Sequence, residues 1–178
     1  TDPELSRVLP VLSSFLTSSV PKVLQNALYD NFVLSYFFRT PIVNVTHDTM
    51  LSGWEIYPEL PKGLGTQVSI WTDEPFYKAE RKVDDRLVHY NYCCKDSACT
   101  LEIHEKHLAF LSRSSTALDH YKLNVELLRP LLYMQLRGIN YDKTSAALEL
   151  TVVNNKLFSY QKSINDFASL KSGGRLTA

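Results

Sequence analysis

Three polar residues stand where a predicted strand passes into a predicted helix. Asn26, Tyr29 and Asp30 form an N-x-x-Y-D pattern at the end of the apolar run 22–27. Because Asp30 follows the carboxyl end of that strand, we expect its carboxylate to face any cleft there. Asn26 either holds the backbone at this point or contacts a ligand. The simpler alternative is that Asp30 only caps a helix.

A second acidic pattern lies inside a predicted helix, where Tyr92 and Asp96 are four residues apart. That spacing places the hydroxyl and the carboxylate on one helical face. Carboxylates bind Mg²⁺ and Mn²⁺, which prefer oxygen ligands. Two such ions about 4 Å apart activate a water and stabilise a leaving oxygen in phosphodiester hydrolysis. The alternative is an exposed Asp96 on an ordinary helix, because either pattern also occurs by chance.

For most of the other residues that could take part in chemistry, a structural role is the favoured interpretation. His104 and His107 are three apart beside two glutamates, which permits a metal site, but a solvated helix face is favoured. His47 and Asp48 are interpreted as structural. Five aromatic residues are predicted to pack under loops, although one or two of them stacking a base is the alternative: Trp54, Tyr57, Trp71, Phe76 and Tyr77. A basic group either meets phosphates or is solvated: Lys62, Lys78, Arg81 and Lys82.

Composition sets limits on the class of protein. The chain has 178 residues, with 44% hydrophobic and 21% charged residues, which is typical of a globular domain. A formal net charge of zero argues against coating of duplex DNA by charge, but allows a groove that holds a few nucleotides. No secretion signal and no apolar run of about 20 residues is seen, so we expect a cytoplasmic protein without a membrane partner. Three nearby cysteines are interpreted as reduced thiols: Cys93, Cys94 and Cys99.

The elements that must position these residues are mostly helical. Hydrophobic periodicity and turn residues predict the following order: a helix over 4–18, a strand over 22–27, a helix over 29–39, a strand over 42–46, short helices within 48–82, a helix over 84–112, a helix over 117–137, and a helix from Asp142 or Thr144 to about 170. We expect Asp2 to cap the first helix, and Pro10 to kink or split it. We expect the helix over 117–137 to be broken or kinked near Pro130 and capped by Gly138, with Ile139 packed beyond the cap. Two strands do not form a stable sheet alone, so either further strands come from elsewhere or the domain is cut.

Taken together, the motifs resemble the 3′–5′ proofreading exonuclease domain of family A, polymerase I-like DNA polymerases, in a form seen in phages. Asn26, Tyr29 and Asp30 match the second exonuclease motif, and Tyr92 with Asp96 match the third. Further matches lie in order along the chain: the D-T-M segment at 48–50, the P-E-L-P-K-G-L segment at 58–64, the segment 72–78 ending in F-Y-K, and the closing helix signature within 131–142. The resemblance covers roughly residues 5 to 145.

The resemblance implies an α/β, RNase H-like fold and a role for each matched residue. Asp30 would bridge a metal ion and the scissile phosphate, and Asp96 would bind the first of two Mg²⁺ or Mn²⁺ ions. Tyr92 would position the attacking water, and Asn26 would contact the DNA strand near its 3′ end. Residues 1–142 would form a partial exonuclease domain, 143–170 the start of a helical region leading to a polymerase thumb, and 171–178 a mobile tail.

The chain departs from the family in one respect. The first exonuclease motif, a D-x-E pair on an upstream strand, is missing, because only 25 residues precede Asn26 and Asp2-Pro3-Glu4 is interpreted as a helix cap. The remaining metal ligands are therefore expected from upstream sequence or from another chain, in a bacterial or phage-infected cell. One alternative is an incomplete module that binds single-stranded DNA or a polymerase subunit without cleavage. A third hypothesis is a helical interaction domain with accidental motif matches.

Overall fold

The structure, a computed structural model, describes residues 3–172. Seven helices and two strands follow one another in the described part of the chain: α1 (Pro3–Leu16), β1 (Lys22–Leu24), α2 (Ala27–Phe38), β2 (Val45–Asp48), α3 (Thr49–Ile56), α4 (Leu64–Trp71), α5 (Arg86–Leu111), α6 (Ser115–Arg137) and α7 (Lys143–Ser172). A 3-10 turn, Lys78–Lys82, lies between α4 and α5. This order agrees with the order predicted from hydrophobic periodicity.

The chain divides into two compact units. Unit 1 comprises Thr1–Arg137 and contains α1 to α6 with both strands. Unit 2 comprises Gly138–Ala178 and contains α7. The division falls five residues before the boundary at 142 that the motif match suggested, because Gly138 already ends α6 with a positive φ of 67°.

Strands β1 and β2 run parallel, with Val23 opposite His47 and Leu24 opposite Asp48. Strand β1 begins at Lys22 as predicted but ends three residues before the predicted run 22–27 does, and β2 is shifted from the predicted run 42–46. Asn26, with a φ of 62°, and Asn44, with a φ of 56°, adopt the left-handed conformation, which interrupts extended backbone on either side. Each strand leads into a helix, so the helices α2 and α3 both begin at the same edge of this small sheet.

A core in the second half of unit 1 fixes α4 and the 3-10 turn against α5. Its buried members are Val68, Tyr77, Cys99 and Ile103. Partly buried Leu64, Trp71 and Tyr92 pack against this cluster. Burial of apolar surface at about 25 cal/mol per Å² is the main force holding these elements together. Tyr92 is therefore placed by packing, before any chemistry is considered.

Several local predictions can be compared directly with the structure. Pro10 and Pro130 lie inside continuous helices, so neither splits its helix. The cap at Gly138 is confirmed, but the predicted packing of Ile139 is wrong, because 91% of that residue is exposed. Helix α7 extends to Ser172 and so includes the first two residues of the predicted tail. The predicted cap Asp2 and residues 173–178 lie outside the described residues.

No helix among residues 3–172 combines the length and the apolar character needed to cross a lipid bilayer.

Candidate functional site

A groove of about 700 Å³ opens beside β1 and is bordered by α2, the 3-10 turn and α5. Asp30, Tyr92 and Asp96 all line it. Two of these residues lie more than sixty positions from the third in the sequence, so tertiary packing alone brings them together. Residues 22–25, which comprise β1 and the residue after it, also line this groove.

Asp96 is the most strongly bonded acidic residue of the groove. The Tyr77 hydroxyl donates a hydrogen bond to Asp96 Oδ1 at 2.6 Å. The Lys78 ammonium forms an ion pair with the same oxygen, and 29% of the Asp96 side chain remains exposed. Burial, followed by the hydrogen bond to Asp96, raises the pKa of the Tyr77 phenol. Tyr77 therefore stays protonated as a donor to the carboxylate.

Tyr92 lies on the same face of α5 as Asp96, as their spacing predicted. The Lys78 ammonium donates to the Tyr92 hydroxyl at 3.3 Å while pairing with Asp96. The rings of Tyr77 and Tyr92 meet edge to face, with centroids 5.7 Å apart. The geometry fixes the Tyr92 hydroxyl beside the Asp96 carboxylate and leaves both groups at the groove.

Asp30 lies in the first turn of α2 and is half-buried. Burial, and then the nearby Asp48 carboxylate, raise the pKa of Asp30. Both causes penalise the ionised form of Asp30. A cation bound at Asp30 would reverse that penalty, because it would compensate the carboxylate charge.

Asp48 anchors the backbone that carries Asp30. Its carboxylate accepts hydrogen bonds from Ala27 N at 2.7 Å and Asn26 N at 3.2 Å. It also caps α3, accepting from Met50 N at 2.7 Å and Leu51 N at 3.3 Å. Burial raises the pKa of Asp48, while these backbone bonds lower it. One buried carboxylate thus fixes the first turns of both α2 and α3, as the interpretation of Asp48 as structural anticipated.

Asn26 lines a different cavity from the three residues above. That cavity has a volume of about 160 Å³ and is lined largely by apolar residues of α3 and α6. Asn26 is the left-handed residue before α2, and its side chain makes no capping hydrogen bond. The structure therefore supports its backbone role, and a contact between Asn26 and a DNA strand stays a prediction.

The prediction of a solvated face for His107 is wrong, and His104 is half-buried. His107 is 0% exposed and His47 is 1% exposed. The Ser52 hydroxyl lies between them, 2.7 Å from His107 Nδ1 and 3.1 Å from His47 Nε2. The ring of His104 contacts that of His47, with centroids 4.2 Å apart. These histidines form a buried polar cluster within unit 1, away from the groove-lining residues.

The aromatic and basic groups divide between packing and the groove. Tyr77 is buried as predicted, whereas Phe76 is 79% exposed and Trp54 is 53% exposed. Of the four residues in the predicted basic group, Lys78 lines the groove, as does Lys22 of β1. Lys62 lies over the Trp54 ring, 4.2 Å from its centroid. The sequence grouped Lys78 with its basic neighbours and did not indicate that it would meet Asp96, which lies 18 residues further along the chain.

The donor set for a metal ion is incomplete in residues 3–172. Two carboxylates and a phenol line the groove, which suits an oxygen-binding divalent ion. However, no group of three or more Asp, Glu, His or Cys side chains in the described part of the chain is placed to hold a metal. The ammonium of Lys78 on Asp96 Oδ1 shows that this carboxylate binds a cation. Asp30 and Asp96 could therefore supply two oxygen ligands to a metal ion, but not a complete set.

Comparison of this chain with protein-family models, with curated proteins and with solved structures gives no match, so the geometry of the groove carries the functional argument.

Proposed function

We propose that this chain forms part of a 3′–5′ exonuclease domain of a DNA polymerase, in which the groove beside β1 receives the 3′ end of a DNA strand. The observation that carries the proposal is the meeting of Asp30, Tyr92 and Asp96 on one groove. Its volume of about 700 Å³ suits one or two nucleotides of a frayed strand.

Each groove residue has a role that its contacts support. Asp30 and Asp96 would hold Mg²⁺ or Mn²⁺ together with ligands from an upstream or partner segment. When bound, two such ions would activate water and stabilise the leaving oxygen. The Tyr92 hydroxyl, fixed 3.3 Å from the Lys78 ammonium, is placed to orient a water beside Asp96. The small parallel sheet leaves β1 as the strand nearest the groove, where a further strand would bring the missing carboxylates.

The test of this proposal uses the natural polypeptide or complex that contains this chain. Asp30→Asn and Asp96→Asn should each reduce release of nucleoside 5′-monophosphate from the 3′ end of a single-stranded oligonucleotide by on the order of a hundredfold or more. The measurement is product release with Mg²⁺ or Mn²⁺ from a 3′-labelled linear strand. Asp119→Asn changes an exposed carboxylate on α6 and serves as the matched control. Full activity in both groove variants would show that the assignment is wrong.

A second candidate is a binding module that holds single-stranded DNA or a polymerase subunit without cleavage. It is favoured by the incomplete donor set and by the lysine paired with Asp96. Circular single-stranded DNA separates the two functions, because it has no 3′ end. A module that binds strands along their length retains circular and linear DNA equally, whereas an exonuclease groove requires the end.

A further inference from the structure

Lys78 is held in the groove by four contacts of three kinds: an ion pair, a hydrogen bond and two contacts with aromatic rings. Its ammonium pairs with Asp96 Oδ1 and donates to the Tyr92 hydroxyl at 3.3 Å. The same ammonium lies 4.7 Å from the centroid of the Tyr77 ring and 5.0 Å from that of Tyr92. Aromatic faces attract cations at such distances, which adds to the ion pair.

The aliphatic part of the Lys78 side chain also packs against Gly65 of α4. A side-chain carbon added at Gly65 would lie 3.3 Å from Lys78 Cγ, so the absence of a side chain at Gly65 leaves room for the lysine stem on α4. Only 21% of the Lys78 side chain is exposed. A surface lysine commonly buries its aliphatic stem and keeps its charged head in water, whereas the Lys78 ammonium is paired with Asp96. The environment of Lys78 is therefore specific to a cation beside Asp96.

We propose that Lys78 is a positioning residue that serves as the resident cation of the groove. It holds Asp96 and Tyr92 together, and it competes with a divalent ion for the Asp96 carboxylate. The inference rests on the proposed function, because it assumes that Asp96 takes part in a metal site. A metal ion at Asp96 would lie beside the ammonium and be repelled by its charge, so the lysine lowers the metal affinity of the groove.

Binding of Tb³⁺ to the natural polypeptide or complex that contains this chain tests the proposal without any measure of activity. Tyr92 and Tyr77 lie beside Asp96 and transfer excitation energy to a lanthanide bound there, so Tb³⁺ luminescence reports occupancy. Lys78→Met should lower the Kd for Tb³⁺ about three- to tenfold, since it removes a competing ion pair and a like charge. Lys78→Arg keeps the charge and should restore the Kd of the unmodified chain.

Two further variants are the controls. Lys95→Met removes the same charge from the residue before Asp96, but Lys95 pairs with Glu80 at 2.7 Å, so its Kd should stay close to that of the unmodified chain. Asp96→Asn should remove the luminescence that depends on the groove. Equal gains in Lys78→Met and Lys95→Met would show a general charge effect and would overturn the proposal.

The remaining outcomes distinguish failure of the role of Lys78 from failure of the metal site. If Asp96→Asn abolishes the signal while Lys78→Met leaves the Kd unchanged, the metal site stands and the role of Lys78 is refuted. If no variant shows a signal that depends on Asp96, the metal site of the proposed function fails, and the competition by Lys78 fails with it.

Discussion

Buried histidines make the stability of unit 1 sensitive to acid. Burial, and then the neighbouring rings of His104 and His107, lower the pKa of His47 to about 3. Burial, and then His104, lower the pKa of His107 to about 4. Both side chains are neutral in the folded protein at pH 5, whereas in the unfolded chain they bind protons below about pH 6.5. The unfolded state then binds more protons, so acidification favours unfolding.

The free energy of unfolding should therefore fall by about 2 kcal/mol for each of these two histidines between pH 7 and pH 5. The stability they allow is fully present above about pH 6.5 and is lost toward the folded pKa values near 3 and 4. The raised pKa values of Asp30 and Asp48 act in the opposite direction, because protonation of a carboxyl with a raised folded pKa favours the folded state.

Urea unfolding at several pH values measures this slope. His107→Gln should remove about half of it, because one of the two buried titrating rings is gone. His89→Gln is the matched control, since His89 is exposed on α5. An unchanged slope in His107→Gln would contradict the assignment of the acid sensitivity to this cluster.

At the scale of elements, two aspartates cap helices with very different consequences. Asp48 is 1% exposed and receives four backbone N–H groups from two helix starts. Asp85 is exposed and receives two, from Leu87 and Val88 of α5. Removal of the buried acceptor leaves four donors unsatisfied, whereas water replaces the exposed one.

Asp48→Ala should therefore lower the free energy of unfolding by about 2–4 kcal/mol. Asp85→Ala should cost only about 1 kcal/mol, the usual value for an exposed N-cap. Urea denaturation of the two variants side by side provides the comparison. Equal losses would show that Asp48 acts as a simple cap of α3 and does not also anchor α2.

The sequence indicated most elements and the three groove residues, because helical periodicity, caps such as Asp142 and ordered motifs are local signals. It did not indicate which helix faces are covered. The burial of His107 depends on His47 and Ser52 from other elements, and the bond from Ala27 to Asp48 spans 21 residues. Likewise, the pairing of Lys78 with Asp96 depends on how the 3-10 turn packs on α5. The RNase H-like fold class stays a prediction beside the observed two-stranded sheet.

At the scale of the whole molecule, unit 1 presents a sheet that is narrower than a stable one. The sheet has two strands, and residues 22–25 line an open groove. Parallel strands are normally buried within wider sheets. Helix α2 also leaves large aromatic residues uncovered, with Tyr36 50% and Phe37 67% exposed. The proposed function predicts a further strand beside β1 in the natural polypeptide or complex.

Hydrogen exchange tests this completion. The Lys22 amide already donates to Asn44 O at 3.0 Å. The amides of residues 23–25 that point away from β2 should exchange at least about tenfold more slowly in the natural polypeptide or complex than in this chain alone, because a paired strand protects its backbone. The amide of Ile103, which is 0% exposed at the centre of α5, is the internal reference and should change little. Equal exchange of those outward amides in both samples would mean that nothing further pairs with β1.

The tie between Asp48 and α6 has a consequence for biosynthesis. The Asp48 amide donates to the Tyr121 hydroxyl at 3.0 Å across 73 residues of sequence. At a translation rate of about 5–20 residues per second, Asp48 is made roughly 4 to 15 seconds before Tyr121. Asp48, which holds the turn that carries Asp30, therefore lacks its hydrogen bond to Tyr121 while the ribosome synthesises α3 to α6. A chaperone acting on the nascent chain would meet the half-formed groove during that interval.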